Sequence, residues 1–143
     1  MAISALIEEF QKVSASPKTM LAKYKAQGKK AIGCLPYYVP EELVYAAGMV
    51  PMGVWGCNGK QEVRSKEYCA SFYCTIAQQS LEMLLDGTLD GLDGIITPVL
   101  CDTLRPMSQN FRVSMGDKMA VIFLAHPQNR FEDFGLQFCI DQY

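Results

Sequence analysis

The chain has 143 residues, with 13 Lys and Arg against 15 Asp and Glu and a net charge of -2. That is long enough for one domain with a buried core, and it offers no basic block for nucleic acid or a membrane surface. The N-terminus carries Glu8 and Glu9 inside its apolar pattern and lacks a basic lead-in, which argues against a secretory signal, and no apolar run approaches the ~18 residues of a membrane span. A cytoplasmic location is therefore expected, where the six cysteines Cys34, Cys57, Cys69, Cys74, Cys101 and Cys139 are expected to be thiols or metal ligands and not disulfides.

Along the chain, Ile3, Leu6, Ile7, Phe10 and Val13 recur at helical spacing, and Pro17 opens a second helix that Gly28 ends. Residues 30–35 read as a buried strand stopped by Pro36, and Pro40 opens a short helix closed by Gly48. Residues 50–55 form a second expected strand, 67–85 a long helix, and 94–100 a third strand. Asp102 is expected to cap a helix running to about Val113, residues 118–126 form the most apolar strand, and a further helix is expected from near Asn129.

Strands that are apolar at nearly every position and alternate with helices predict a parallel sheet covered on both faces. The expected architecture is α/β, with an N-terminal helical segment (1–28) followed by a Rossmann-like domain (29–143). The last stretch places Phe131, Phe134 and Phe138 on one helical face and stops at Tyr143 without a capping residue. The chain is thus expected to be the N-terminal portion of a larger two-domain subunit, with those three rings exposed because the remainder would cover them.

Ligands of open parallel sheets bind outside the carboxyl ends of the strands. Cys34 closes the first expected strand, Cys101 the third, and Cys74 lies in the first half of the expected long helix, 27 residues before Cys101. No CxxC pair occurs, and the irregular spacing does not suit a zinc ribbon. For any single cysteine, burial as a small hydrophobe is the commoner role, and Cys69 and Cys139 are read that way. Cys57 lies in the polar loop WGCNGK without an activating neighbour. Cys101 differs because Asp102 and Thr103 follow it, so its sulfur is expected beside a helix N-terminus, which stabilises a thiolate.

His126 is the only histidine, which excludes a His-rich metal site; it ends the fourth expected strand, either bonded to a neighbouring carbonyl or paired with a cysteine nucleophile. The absence of GxSxG, GxGxxG and GxxxxGK[ST] removes the usual support for a serine hydrolase, a dinucleotide site and a P-loop ATPase.

Four blocks occur in a fixed order: GKKAIGCLPYYVPEELVYAAGMVPMGVWG, ASFYCTIAQQSLE, ITPVLCDTLRPMSQN and LAHPQNR. Together they resemble the N-terminal half of the 2-hydroxyacyl-CoA dehydratase and benzoyl-CoA reductase family, over nearly all of the chain after Lys29. The resemblance implies an oxygen-sensitive heterodimer of anaerobic bacteria, each of whose two related subunits holds a 4Fe-4S cluster through three cysteines. Cys74 and Cys101 match two of these, and the third is expected beyond Tyr143. It also implies an ATP-dependent activator iron-sulfur protein that delivers one electron to the acyl-CoA. The resulting ketyl radical anion makes the β-proton acidic and expels the 2-hydroxyl, giving net dehydration in amino-acid fermentation.

Within the family the similarity is greatest to β subunits acting on (R)-2-hydroxyglutaryl-CoA, giving (E)-glutaconyl-CoA; the phenyllactyl- and 2-hydroxyisocaproyl-CoA types are the runners-up. FMN or riboflavin is a further cofactor that the resemblance implies, without residues to assign to it. The alternatives are a benzoyl-CoA reductase type, which reduces an aromatic ring, and a non-catalytic electron-relay subunit whose sister binds the acyl-CoA. In either case Cys74 is expected to face the same space as Cys101.

Overall fold

The computed structural model describes residues 3–36, 38–126 and 131–143. The elements run α1 (Ile3–Ala15), α2 (Pro17–Ala26), β1 (Ala31–Cys34), α3 (Glu41–Ala46), β2 (Val50–Gly53), α4 (Thr75–Leu85), β3 (Gly94–Pro98), α5 (Leu104–Met115), β4 (Ala120–Leu124) and α6 (Asp133–Gln142). The four strands form one parallel sheet in the order β2-β1-β3-β4, as the alternation of apolar strands and helices predicts.

Strand periodicity sorts the side chains onto two faces. On one, Ala31, Leu35 and Ile95 meet Leu81 of α4 and Met107 and Phe111 of α5 in the main core, which also takes in Leu21 of α2. Leu81, Met107 and Phe111 are fully buried, and each such side chain stabilises the fold by roughly 1.5–3 kcal/mol. On the other face Cys34 and Ile96 pack with Val44 of α3 and Leu124 in a smaller cluster. Gly33 in β1 is closely packed: a Cβ there would stand 3.1 Å from both Leu92 Cδ1 and Val54 Cγ2, so these side chains would have to give by a few tenths of an ångström.

Three expectations need correction. The long helix begins at Thr75 and not near Glu67; residues 65–67 form one 3-10 turn, and the intervening chain turns so that Cys69 can bury its sulfur against Met107 and Asn110. The helix after Cys101 is entered through Thr103, and Asp102 makes no capping hydrogen bond. The apolar β4 is an edge strand of the described sheet, with Ala120 exposed and Ile122 half-exposed. The last helix begins at Asp133; the start expected near Asn129 lies outside the described residues.

The N-terminal helices form as the pattern predicts. Ser16 accepts a hydrogen bond from the Thr19 N–H and Pro17 opens α2, but α1 buries none of its apolar residues. Phe131, Phe134 and Phe138 are exposed as expected, but Phe131 precedes α6, so only Phe134 and Phe138 lie on the helix. No helix among the described residues is long and apolar enough to cross a membrane.

Candidate functional site

Strand order places a reversal between β1 and β3: the chain moves from β1 outward to β2, then crosses back over β1 to β3. Outside the carboxyl ends at such a switch point the loops diverge and leave a crevice. Here the crevice has a volume of about 60 Å³. Leu35 enters it after β1, Trp55 after β2, and Leu100 and Cys101 after β3; α4 contributes Ile76 and Ala77, with Cys74 at its mouth.

Cys74 and Cys101 thus line one crevice, and both are exposed. Each stands at the start of a helix on the same face of the sheet. Cys74 is the residue preceding α4 and its carbonyl accepts the Gln78 N–H at 3.1 Å; the Cys101 carbonyl accepts the Arg105 N–H at 3.3 Å at the entry to α5. Neither helix start has a side-chain cap, so their free N–H groups and positive dipole ends favour negative charge at the crevice mouth. The donor set is soft: two thiols above an otherwise apolar lining, in which Thr103 supplies the single hydroxyl-bearing side chain.

This arrangement fits part of an iron-sulfur site. Among the described residues no group of three His, Cys, Asp or Glu side chains is placed to hold a metal ion, so this chain offers such a site two soft donors and not a full set.

The other sequence candidates fall elsewhere. Cys34 lies at the carboxyl edge as expected, but strand alternation turns it to the opposite face of the sheet, where it is buried and bonds to the Ile32 carbonyl at 3.6 Å. Burial, together with the Glu41 carboxylate and against a backbone hydrogen bond from Met52, pushes its thiol up to about 11. Cys69 is buried in the main core with its thiol pushed up by burial, as a structural cysteine should be, while Cys57 is exposed and Cys139 half-buried.

His126 follows β4 at the carboxyl edge. Its ring lies between those of Tyr38 and Tyr143, with centroids 5.5 and 5.8 Å away. Its buried Nε2 has no hydrogen-bond partner among the described residues. It lines a separate recess with Phe134 and Phe138.

Reading the sequence for reactive groups missed Trp55, Leu35 and Leu100. The signal was present: each lies within two residues of a strand end, and carboxyl ends of strands at a switch point are where lining residues arise.

A family model for "2-hydroxyglutaryl-CoA dehydratase, D-component" matches residues 36–143. The chain is 91% identical, over its full length, to the β subunit of (R)-2-hydroxyglutaryl-CoA dehydratase of Acidaminococcus fermentans, and spans 38% of that protein. It is 42% identical over 136 residues to the β subunit of (R)-phenyllactyl-CoA dehydratase of Clostridium sporogenes, covering 94% of this chain and 36% of that one. With the β subunit of lactoyl-CoA dehydratase of Anaerotignum propionicum the identity is 39% over 142 residues, covering 99% of this chain and 37% of the relative.

Proposed function

Because the chain belongs to the family of the 2-hydroxyglutaryl-CoA dehydratase D-component, we propose that it is the cluster-binding N-terminal part of a dehydratase subunit, in which Cys74 and Cys101 supply two thiolate ligands to a 4Fe-4S cluster. The observation that carries this reading is the pair of exposed thiols on one apolar crevice at the switch point of the sheet. Thiolates are the usual protein ligands of such clusters, and helix N-termini offset the negative charge that a thiolate-ligated cluster carries.

When bound, a 4Fe-4S cluster supplies one-electron transfer at low potential. The residues of this chain do the holding and screening. Cys74 and Cys101 would hold it from the residues that lead into α4 and α5, and Leu35, Ala77 and Leu104 would give the crevice an apolar floor. The remaining ligand would come from the part of the full-length protein outside this chain, which spans 38% of the relative.

The reaction proposed is dehydration of an (R)-2-hydroxyacyl-CoA. (R)-2-hydroxyglutaryl-CoA is ranked first as substrate because the relative with 91% identity carries that name. The proposed partners are a homologous sister subunit and an ATP-dependent activator, in the cytoplasm; the flavin expectation rests on resemblance alone. An electron-relay role for this portion, with the acyl-CoA on the sister subunit, is the second reading. The crevice beside the cysteines, about 60 Å³, is far smaller than the roughly 300–1,000 Å³ of ligand pockets, so the acyl-CoA would not be held by this crevice alone.

The test is the full-length subunit produced anaerobically with its sister. Cys74→Ala or Cys101→Ala should remove iron, visible absorbance and turnover, while Cys139→Ala retains all three; full iron and turnover in Cys101→Ala would overturn the assignment. Product analysis with (R)-2-hydroxyglutaryl-CoA should give the enoyl-CoA with no net electron consumption, whereas two electrons consumed per turnover would mark a reductase.

A further inference from the structure

Trp55 is the single tryptophan of the chain, and it lines the crevice with Cys74 and Cys101 while remaining 46% exposed. Large aromatic side chains carry much apolar surface, and this one contributes its ring to the crevice wall that holds both cysteines. Its backbone is not a loose loop tip. The preceding residue, Val54, is buried, and its N–H bonds to the Cys34 carbonyl at 3.0 Å, extending the β1–β2 pairing by one residue. The following Gly56 turns at φ 73 directly against Gln79 of α4. The Gln79 side chain then accepts the Cys57 N–H at 3.3 Å and donates to the Lys60 carbonyl at 3.0 Å. Trp55 is therefore clamped on both sides, which fixes the indole's point of attachment over the crevice.

Across from it the floor is apolar. Leu35, Ala77 and Leu104 are buried and bring no polar side-chain atom to it. Leu100, partly exposed, completes the rim. We propose that Trp55 is a shielding residue: with Leu100 it excludes water from the cluster face held by Cys74 and Cys101, and so lowers its reduction potential and protects it from small-molecule attack. This rests on the reading that the two cysteines ligate a cluster.

The physical basis is that the apolar shell of a metal site sets local dielectric and solvent access, and through them the potential. Reduction adds a negative charge. Admitting water stabilises that charge and moves the midpoint potential to more positive values.

The experiment uses the full-length subunit with its sister, prepared anaerobically. Iron content, midpoint potential by redox titration, and the rate of absorbance loss on adding an iron chelator are measured for wild type, Trp55→Ala, Trp55→Leu and Trp55→Phe. Trp55→Ala should keep its iron, titrate at a more positive potential and bleach several-fold faster, with Trp55→Phe restored most of the way to wild type. Trp55→Leu should fall between and decides the matter if the alanine variant does not load. Variants with full iron whose potential and bleaching rate equal wild type overturn the shielding role alone. Wild type without iron, or full iron in Cys101→Ala, overturns the cluster reading on which it rests.

Discussion

The Glu82 carboxylate oxygen Oε2 lies 2.8 Å from the backbone nitrogen of Ser65, and both residues are buried. The same oxygen accepts the Val63 N–H at 2.9 Å, so one side chain of α4 ties down the strap that descends from Trp55 to the 3-10 turn. Burial alone would raise the Glu82 carboxyl, but these N–H donors outweigh it and hold the group below the usual carboxylate range. Its stabilising contribution is then fully present above the unfolded value of about 4.3 and is lost as pH falls through the lower folded value. Glu82→Gln should cost about 1–3 kcal/mol at neutral pH. Urea unfolding should show the wild-type and variant curves converging on acidification, and a constant gap down to about pH 3 would contradict this assignment.

Asp93 plays a comparable part at the start of β1, where its two oxygens have different partners. Oδ1 pairs with the Lys25 ammonium at 2.6 Å and Oδ2 accepts the Ala31 N–H at 2.8 Å. Burial would raise this carboxyl too, but Lys25 and the Ala31 N–H hold it below its ordinary range. Lys25 is substantially exposed, so Lys25→Ala should cost no more than about 1 kcal/mol. Asp93→Ala also strands the Ala31 N–H and should cost about 1–3 kcal/mol. Equal losses in the two variants, measured by denaturant midpoints, would show that the ion pair is the main contribution.

The sheet was legible because each strand is a short apolar run bounded by Gly or Pro, and the crevice cysteines because Cys101 directly follows such a run. The start of α4 was not legible. Residues 67–74 contain no Gly or Pro, and what breaks the helix there is tertiary: Cys69 turns inward to Met107, and Gln78 reaches back to donate to the Tyr73 carbonyl at 2.8 Å. Cys34 was placed at the right edge but its face was not drawn, although period-two alternation against Leu35 contains that information. The partners of His126 depend on where residues 38 and 143 arrive, which no local pattern encodes.

Gly56 has φ 73, and a Cβ at that position would stand 2.8 Å from Gln79 Oε1 and 3.2 Å from its Cβ. Gly56→Ala therefore combines left-handed strain of about 1–2 kcal/mol with displacement of the Gln79 bridge to the strap. Gln79→Ala alone loses the bridge but opens the space. The double variant should be less destabilised than the sum of the two single changes, because relief of the collision is shared. Strict additivity in thermal or urea unfolding would mean that Gly56 is needed only for its backbone angle.

The two crevice cysteines carry the functional assignment, so their structural cost must be small for it to be tested cleanly. Cys74 and Cys101 are exposed, and the Cys74 side chain makes no capping hydrogen bond to α4. Cys74→Ala and Cys101→Ala should therefore stay within about 0.5 kcal/mol of wild-type stability. Cys69→Ala, which removes a buried sulfur packed on Met107, should be clearly destabilised by comparison. Alkylation gives an independent check on the 143-residue chain. The thiolate is the reactive form and access governs its capture, so iodoacetamide near pH 8 should label Cys57, Cys74 and Cys101. Cys34, buried and with its thiol pushed up to about 11, should label only on unfolding. Peptide mass spectrometry reads this pattern directly. Protection of Cys74 and Cys101 in the native chain, or a large stability loss in either alanine variant, would make them structural residues and remove the crevice as a ligand site.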